Sequence, residues 1–499
     1  MKKIRKCCLL FCVSFFLTGC GEGQGSVTSD PVNSAVSSGE ERQSDFTEEL
    51  VNSSGSSGAD AGGTQPDIME NPAYNPNGRQ VLTAVVTSPS ITSEILERIR
   101  AFNDSSPSYF VEIMDYKAEG ARVLEAADLE NRLPLEILSG KGPDLVIWNG
   151  YYTPALASEM LMMDLNDLMD ADPDFHREDY FENILQAFER NGGLYIFPSS
   201  FAVSTMCGKA EELGADRGIT ESWEFGEILD AFENSSHAEV VFDYPNKEYT
   251  LNYVVGGCMG NFVDWNSGEC HFDTPEFVEM LEFCNTLPDG FDDLESYYEF
   301  YSSGKCFLYH PHLSTPWSMA EVRARFGDVE LRWPGVPVTD GEKELGGGVA
   351  APCGECFSIC RNSSDPEGAW EFIKSYLMED MQRNTRGNPL LRSVFEEKIQ
   401  DALTVEYQTI NGTEQEKVRY QVLLTEREGA VGFSCITEED AELYRSIIEN
   451  THRSAGGDPG IMDIIMEEAG AYFGGDKDAA TVADIIQNRV SMYVGERMK

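Results

Sequence analysis

The sequence predicts an α/β protein on a mainly parallel sheet, divided into more than one globular unit. Three observations predict it. Strand-like and helix-like segments alternate from residue 81 to residue 148, the pattern that joins parallel strands through helices. The chain has 499 residues, too many for one hydrophobic core. Hydrophobic residues make up 41% of it, enough to fill two.

The elements follow in order. Leu82–Thr87 reads as a buried strand. Thr92 or Ser93 can cap a helix on which Ile95, Leu96, Ile99 and Phe102 fall at helical spacing. Tyr109–Tyr116 is a second strand, and Pro134 can open a short helical turn that runs to Leu138 and stops at Gly140. Asp144–Trp148 is a third strand, entered through the breaker Gly142-Pro143. Ligands of such sheets bind outside the carboxyl ends of the strands. Trp148, Asn149, Tyr151 and Tyr152 lie just past one of those ends. Trp223–Phe232, Pro275–Thr286 and Ala369–Leu377 read as helices, Cys306–Tyr309 as a strand, and 346–352 as a glycine-rich entry into another strand. Asp458-Pro459 starts a helix that Gly474-Gly475 ends, and a last helix carries Val482, Ile485, Ile486, Val490 and Tyr493.

The two ends of the chain differ in kind. Lys2, Lys3, Arg5 and Lys6 precede the apolar run Cys8–Leu17. That run is too short to span a bilayer and has the dimensions of a signal-peptide core. It closes on Leu17-Thr18-Gly19-Cys20, which resembles the bacterial lipobox and implies cleavage before Cys20 and lipidation of its thiol and amine (palmitate among the acyl chains). Residues 20–79 are rich in Gly, Ser, Asn, Asp and Glu, with Phe46 and Tyr74 as their aromatics. Such a tract buries too little to offset its ordering entropy and is expected to be a flexible tether. Lys plus Arg number 37 against 86 Asp plus Glu, a net charge of −49. That balance excludes nucleic acid and anionic head groups as partners. It suits an extracellular protein held to the membrane by lipid.

Seven phrases carry a family resemblance. They are Ser139–Ile147 (SGKGPDLVI), Met160–Leu168, Gly193–Pro198 (GLYIFP), Glu221–Phe225, Phe300–Lys305, Gly368–Phe372 with Gln382, and the tail through Ile465–Glu468, Tyr472–Gly475 and Ala483–Val490. In this order, behind a lipobox, they resemble bacterial extracellular solute-binding protein family 1, the maltose-binding-protein-like group. The resemblance covers residues 80 to 499. It implies a two-lobed periplasmic-binding-protein-like fold with hinge strands and an interlobe ligand cleft. Lobe one would hold 80–197 and 353–388, and lobe two 198–352 and 389–499. It implies capture of a small solute, a carbohydrate, for an ABC permease, by a monomer on the outer face of the cell membrane. The same fold and cleft would serve a permease-independent glycan-binding lipoprotein or an importer of a non-sugar solute.

By the same resemblance, Trp148, Asn149, Tyr151 and Tyr152 supply the first lobe's contacts, and Ser199, Ser200 and Phe201 follow the first hinge. Asn252 and Tyr253 precede a glycine-rich segment. His310, His312 and Trp317 follow the strand ending near Tyr309. Gly346, Gly347 and Gly348 let backbone approach the ligand. Flat rings suit the C–H faces of sugars. Each position has a plainer reading: Trp148 and Trp317 as packing residues, the tyrosines as surface, the histidines as turn residues around Pro311. Maltose-type relatives carry a charged pair after the third strand. Here that stretch is Asn149-Gly-Tyr-Tyr152, which disfavours maltose itself.

Nine cysteines follow Cys20, an odd number. Cys353-x-x-Cys356-x-x-x-Cys360 has thiolate spacing, but no fourth ligand is evident and a strand would not point all three to one face. Buried apolar side chains are the better reading. No nucleophile elbow, zinc-protease helix or phosphate loop is present. Neither an enzyme activity nor a cofactor or metal is expected.

Overall fold

The computed structural model describes residues 78–88, 91–117, 124, 126–149, 156–214, 218–243, 245–290, 297–338, 347–424, 429–455 and 457–497. The leader, Cys20, the tether, Tyr151, Tyr152 and Gly346 lie outside them. The strands that build the fold are, in chain order, β1 (Gln80–Val86), β2 (Tyr109–Ile113), β3 (Leu145–Trp148), β4 (Phe197–Pro198), β5 (Ser200–Ser204), β6 (Val240–Phe242), β7 (Cys306–Leu308), β8 (His312–Leu313), β9 (Val349–Pro352), β10 (Cys356–Ile359) and β11 (Arg453–Ser454). The main helices are α1 (Ser93–Ser105), α2 (Ala126–Leu138), α3 (Phe225–Glu233), α4 (Lys247–Gly257), α5 (Pro275–Thr286), α6 (Ser318–Phe326), α7 (Pro366–Ser375), α8 (Pro459–Phe473) and α9 (Ala479–Arg497).

The first sheet runs β2-β1-β3-β10-β4. Strands β2, β1 and β3 are parallel, as the alternation predicts. Strand β10 is antiparallel to β3 and to β4, because it returns from the second lobe instead of arriving through a helix on the first. Thr92 caps α1, accepting the Ile95 amide at 3.4 Å. Asn103 then fastens α1 to β2, donating to Val111 O at 2.9 Å and accepting its amide at 2.7 Å. The Pro143-Asp144 phrase has a structural cause. Asp144 accepts the Thr83 amide and hydroxyl, both at 2.8 Å, and the Ser364 amide at 2.7 Å. Burial opposes its charge, but those bonds hold the carboxyl below the usual carboxylate range.

The short turn expected from Pro134 is instead one helix, α2, with Pro134 inside it. Leu129, Leu133 and Ile137 are buried at helical spacing, and that burial carries the helix through the lost amide bond.

The second sheet runs β8-β5-β9-β11, with Asn388–Pro389 also paired to β5. Strands β6 and β7 form a separate parallel pair. Two apolar clusters result. One holds the first sheet, α1, α2 and α7, together with Phe395, Tyr444 and Ile448 from later in the chain. The other holds α3, α4, α5, β7, α8 and α9. The fold is therefore α/β and two-lobed. The chain crosses between sheets along β4–β5 and back along β9–β10, and the two crossings run antiparallel. Phe201 pairs with Pro352, and Phe197 with Phe357. The Ser199 amide donates to Glu355 O at 2.9 Å, and the Cys353 amide to Ser200 O at 3.0 Å.

Candidate ligand-binding site

On the first lobe, β3 delivers Trp148 to the core. The indole is 2% exposed, and its N–H donates to Ser358 Oγ at 2.7 Å. Ser358 in turn donates to Tyr195 O at 2.6 Å. This corrects the reading of Trp148 as a sugar platform: the ring is packed in the apolar cluster around the first sheet, its N–H is held by Ser358 of β10, and at 2% exposure it offers no face to a solute. Asn149, the next residue, is half-buried, and its amide donates to Thr87 Oγ1 at 3.1 Å. Phe201 is likewise a core side chain, fully buried and edge-on to Phe181 with centroids 5.6 Å apart. Ser199 is buried at the crossing. Its carbonyl accepts from Gln382 Nε2 at 2.9 Å.

The second lobe is different. Asn246 caps α4 by accepting the Tyr249 amide at 2.8 Å. The helix then presents Asn252 to solvent and half-buries Tyr253. The Tyr253 ring lies edge-on to His310, with centroids 4.1 Å apart. Its hydroxyl is buried and meets no partner among the described residues. His310 follows β7, and burial pushes its imidazole well below the usual range, with His312 adding to the effect. It is a neutral, polar ring at neutral pH. His312 is exposed, and its Nδ1 lies 3.1 Å from Ser204 Oγ.

Trp317 is half-buried. The Tyr420 ring stacks on it at 5.3 Å and 16°, the Arg419 guanidinium lies 5.5 Å from its centroid, and the Tyr420 hydroxyl donates to Glu321. Tyr420 belongs to a β-hairpin, Tyr420–Leu423 with Ala430–Phe433. Gly347 and Gly348 have an internal reason to be glycine. A Cβ on Gly347 would run into Asn450 O, and one on Gly348 into Ser204 O. They let the chain approach itself.

Sequence reasoning missed two side chains near this end of the second lobe. Asp243 follows β6 and is 8% exposed. Burial pushes its carboxyl up to about 7, against the opposing pull of its own amide and of Arg325. Arg325, on α6, lies over the Tyr309 ring at 5.1 Å. The available signal was an acid placed directly after the buried run Val240-Val-Phe242. Cys356 and Cys360 are buried and Cys353 is half-buried. Burial raises the thiols of Cys356 and Cys360 far above the usual range. Among the described residues, no helix is long and apolar enough to cross a membrane.

A maltotriose-binding protein from Pyrococcus abyssi is 22% identical to the chain over 255 residues, 50% of this chain and 53% of that protein. The chain resembles a maltotriose-binding protein. It spans about half the length of that curated relative, and the finding agrees with the family resemblance carried by the ordered phrases. No protein-family model matches the chain. Among solved structures, the sugar-binding protein MalE from Xanthomonas citri is 12% identical and covers 84% of this chain and 98% of its own, with a TM-score of 0.48. The cyclic α-maltosyl-1,6-maltose binding protein from Arthrobacter globiformis is 14% identical and covers 84% and 100%, with a TM-score of 0.46. The family 1 extracellular solute-binding protein from Alicyclobacillus acidocaldarius is 12% identical and covers 83% and 98%, also at 0.46.

Proposed function

We propose that the chain is an extracellular solute-binding lipoprotein of an ABC importer. It captures an oligosaccharide between two lobes and delivers it to a membrane permease. Lobe one is taken as 80–197 with 353–388, and lobe two as 198–352 with 389–499. The observation that carries the reading is the end of the β6–β7 pair. There an aromatic hydroxyl and a neutral imidazole, Tyr253 and His310, stand together on a lobe joined to its neighbour by two antiparallel crossings. Rings with polar edges suit the C–H faces and hydroxyls of a sugar, and the Tyr253 hydroxyl has no partner among the described residues. Likeness to a maltotriose-binding protein supports the substrate class.

In this reading Asn149, Ser199, Asn252, Tyr253, His310, Trp317 and Gly347 border the cleft, while Trp148 and Phe201 hold its floor from the core; Tyr151 and Tyr152, expected beside Asn149 from the sequence, lie outside the described residues. Closure of the lobes buries the solute. No step of this role requires catalysis. Cys20 carries the lipid, and a diacyl anchor holds because each buried methylene contributes about 0.8 kcal/mol.

The test is a thermal-shift screen of the full chain against mono- and oligosaccharides, maltotriose among them, with amino acids, short peptides and polyamines alongside. A solute at about 100 times its dissociation constant stabilises the folded form by about 2.7 kcal/mol. A response to oligosaccharides, lost in Tyr253→Ala, is expected. A response to peptides or polyamines alone would overturn the sugar assignment and keep the solute-binding role. For the anchor, Cys20→Ser should stop labelling by a radioactive fatty acid and release the protein from the membrane fraction.

A further inference from the structure

Asp243 is a buried acid with no side-chain partner among the described residues. It is 8% exposed. Among the described residues its carboxyl accepts only its own backbone amide, and it forms no ion pair. The cation nearest in effect, Arg325, directs its guanidinium elsewhere. It donates to Glu321 O at 3.2 Å and lies over the Tyr309 ring. The other titratable groups that face Asp243 are Tyr301 from the helix Tyr297–Ser302, Cys306 and Tyr309 from β7 and its end, and Cys207. None of these supplies a cation.

An unpaired carboxylate in such a place is costly when ionised, and buried groups of this kind mark functional sites. Its position fits one. The register Cys306↔Val240 and Leu308↔Phe242 sets Asp243 level with Tyr309, at the carboxyl end of a parallel pair and one residue short of His310. Ligands of open α/β sheets bind outside that end. The unpartnered Tyr253 hydroxyl is an independent sign that this end of the lobe waits for hydrogen bonds from outside the chain.

We propose that Asp243 is the carboxylate with which the second lobe grips its solute, accepting hydrogen bonds from neighbouring hydroxyls of a sugar. The proposal rests on the solute-capture reading above and names the group that enforces it. A carboxylate can accept two hydroxyls at once, and bonds to an ionised acceptor are the strong ones. Arg325 keeps a positive charge close by, which favours a neutral, hydroxyl-rich solute over a cationic one. Capture then favours the ionised acid, so binding near neutral pH releases protons.

The experiment compares the full-length chain with Asp243→Asn by calorimetric titration with maltotriose at pH 8 and pH 5.5. The wild type should bind more weakly at pH 5.5. Asp243→Asn should bind at least ten-fold more weakly than wild type at pH 8 and show the same affinity at both values. Equal affinity for wild type and variant at pH 8 overturns the proposal. If the wild type ignores every sugar, the capture reading fails, and the empty protein still judges Asp243. A carboxyl waiting for a solute has no internal partner to lose, so Asp243→Asn should melt at or above the wild-type temperature at pH 8. A variant that melts several degrees lower overturns the proposal, because the carboxylate would then have a structural partner. Asp243→Glu is the second variant: it keeps the charge, and it should keep a pH-dependent affinity where Asp243→Asn does not.

Discussion

Gln382 is 1% exposed, and its side chain answers four backbone groups. Its Nε2 donates to Ser199 O at 2.9 Å and Tyr376 O at 2.8 Å, and its Oε1 accepts the buried Leu390 amide at 2.8 Å and the Leu391 amide at 3.4 Å. Removing it strands three buried polar groups, each costing about 1–3 kcal/mol. Gln382→Ala should therefore lose about 3 kcal/mol or more in urea unfolding, and a loss under about 1 kcal/mol would contradict the bolt role. Asp243 makes a prediction of opposite character. Its folded pKa is raised, so folding takes up a proton. The stability held by the neutral carboxyl is fully present below about pH 4 and is lost as pH rises through about 7. Melting curves of the empty protein across that window should show the decline, and Asp243→Asn should flatten it. Gln382 was visible in the sequence as part of a family phrase, but its backbone partners were not, since they come from residues 199, 376, 390 and 391.

Elements with their own start signals were legible. The pairs Thr274-Pro275 and Asp458-Pro459 open α5 and α8, capped by Thr274 and Asp458. Helix α2 was misread because a proline signal was taken as a beginning when burial on one face carries the helix past it. Pro134→Ala restores one amide bond and removes a steric clash, so it should raise the stability by about 1–3 kcal/mol. A variant less stable than wild type would mean that the proline kink is needed for packing. The hairpin bearing Tyr420 also escaped notice. Its strands are four residues each, too short for periodicity to register. It nonetheless stacks Tyr420 on one face of Trp317, which the sequence offers either as a cleft aromatic or as a packing residue.

The whole molecule is strongly acidic, with 86 Asp plus Glu against 37 Lys plus Arg. Many of its cations are held in pairs on the surface, such as Arg445 with Glu396 at 2.8 Å and Arg489 with Glu467 at 2.8 Å. Such pairs contribute little individually, and the excess negative charge repels itself. Raising salt from about 10 mM to about 0.15 M screens that repulsion. The melting temperature should rise with salt, and a fall would show that the surface pairs outweigh the excess charge.

By itself the sequence determined the α/β class, the parallel strands β1–β3, the capped helices and the family likeness. Each of these is a local or ordered signal: alternation, a cap, a phrase in its place. It also named Tyr253, and His310 one residue past the strand it read at Cys306–Tyr309. The tertiary structure alone decided which aromatics are free to face a solute. Trp148, on β3, is sealed in the core and bonded to Ser358 of β10, more than 200 residues later. Trp317 is stacked by a residue about 100 positions later. Whether a ring is a platform or a filler depends on what packs against its faces, and those partners come from distant parts of the chain. The same holds for Asp243, an ordinary acid in a chain full of them until the fold buries it with no ion pair among the described residues.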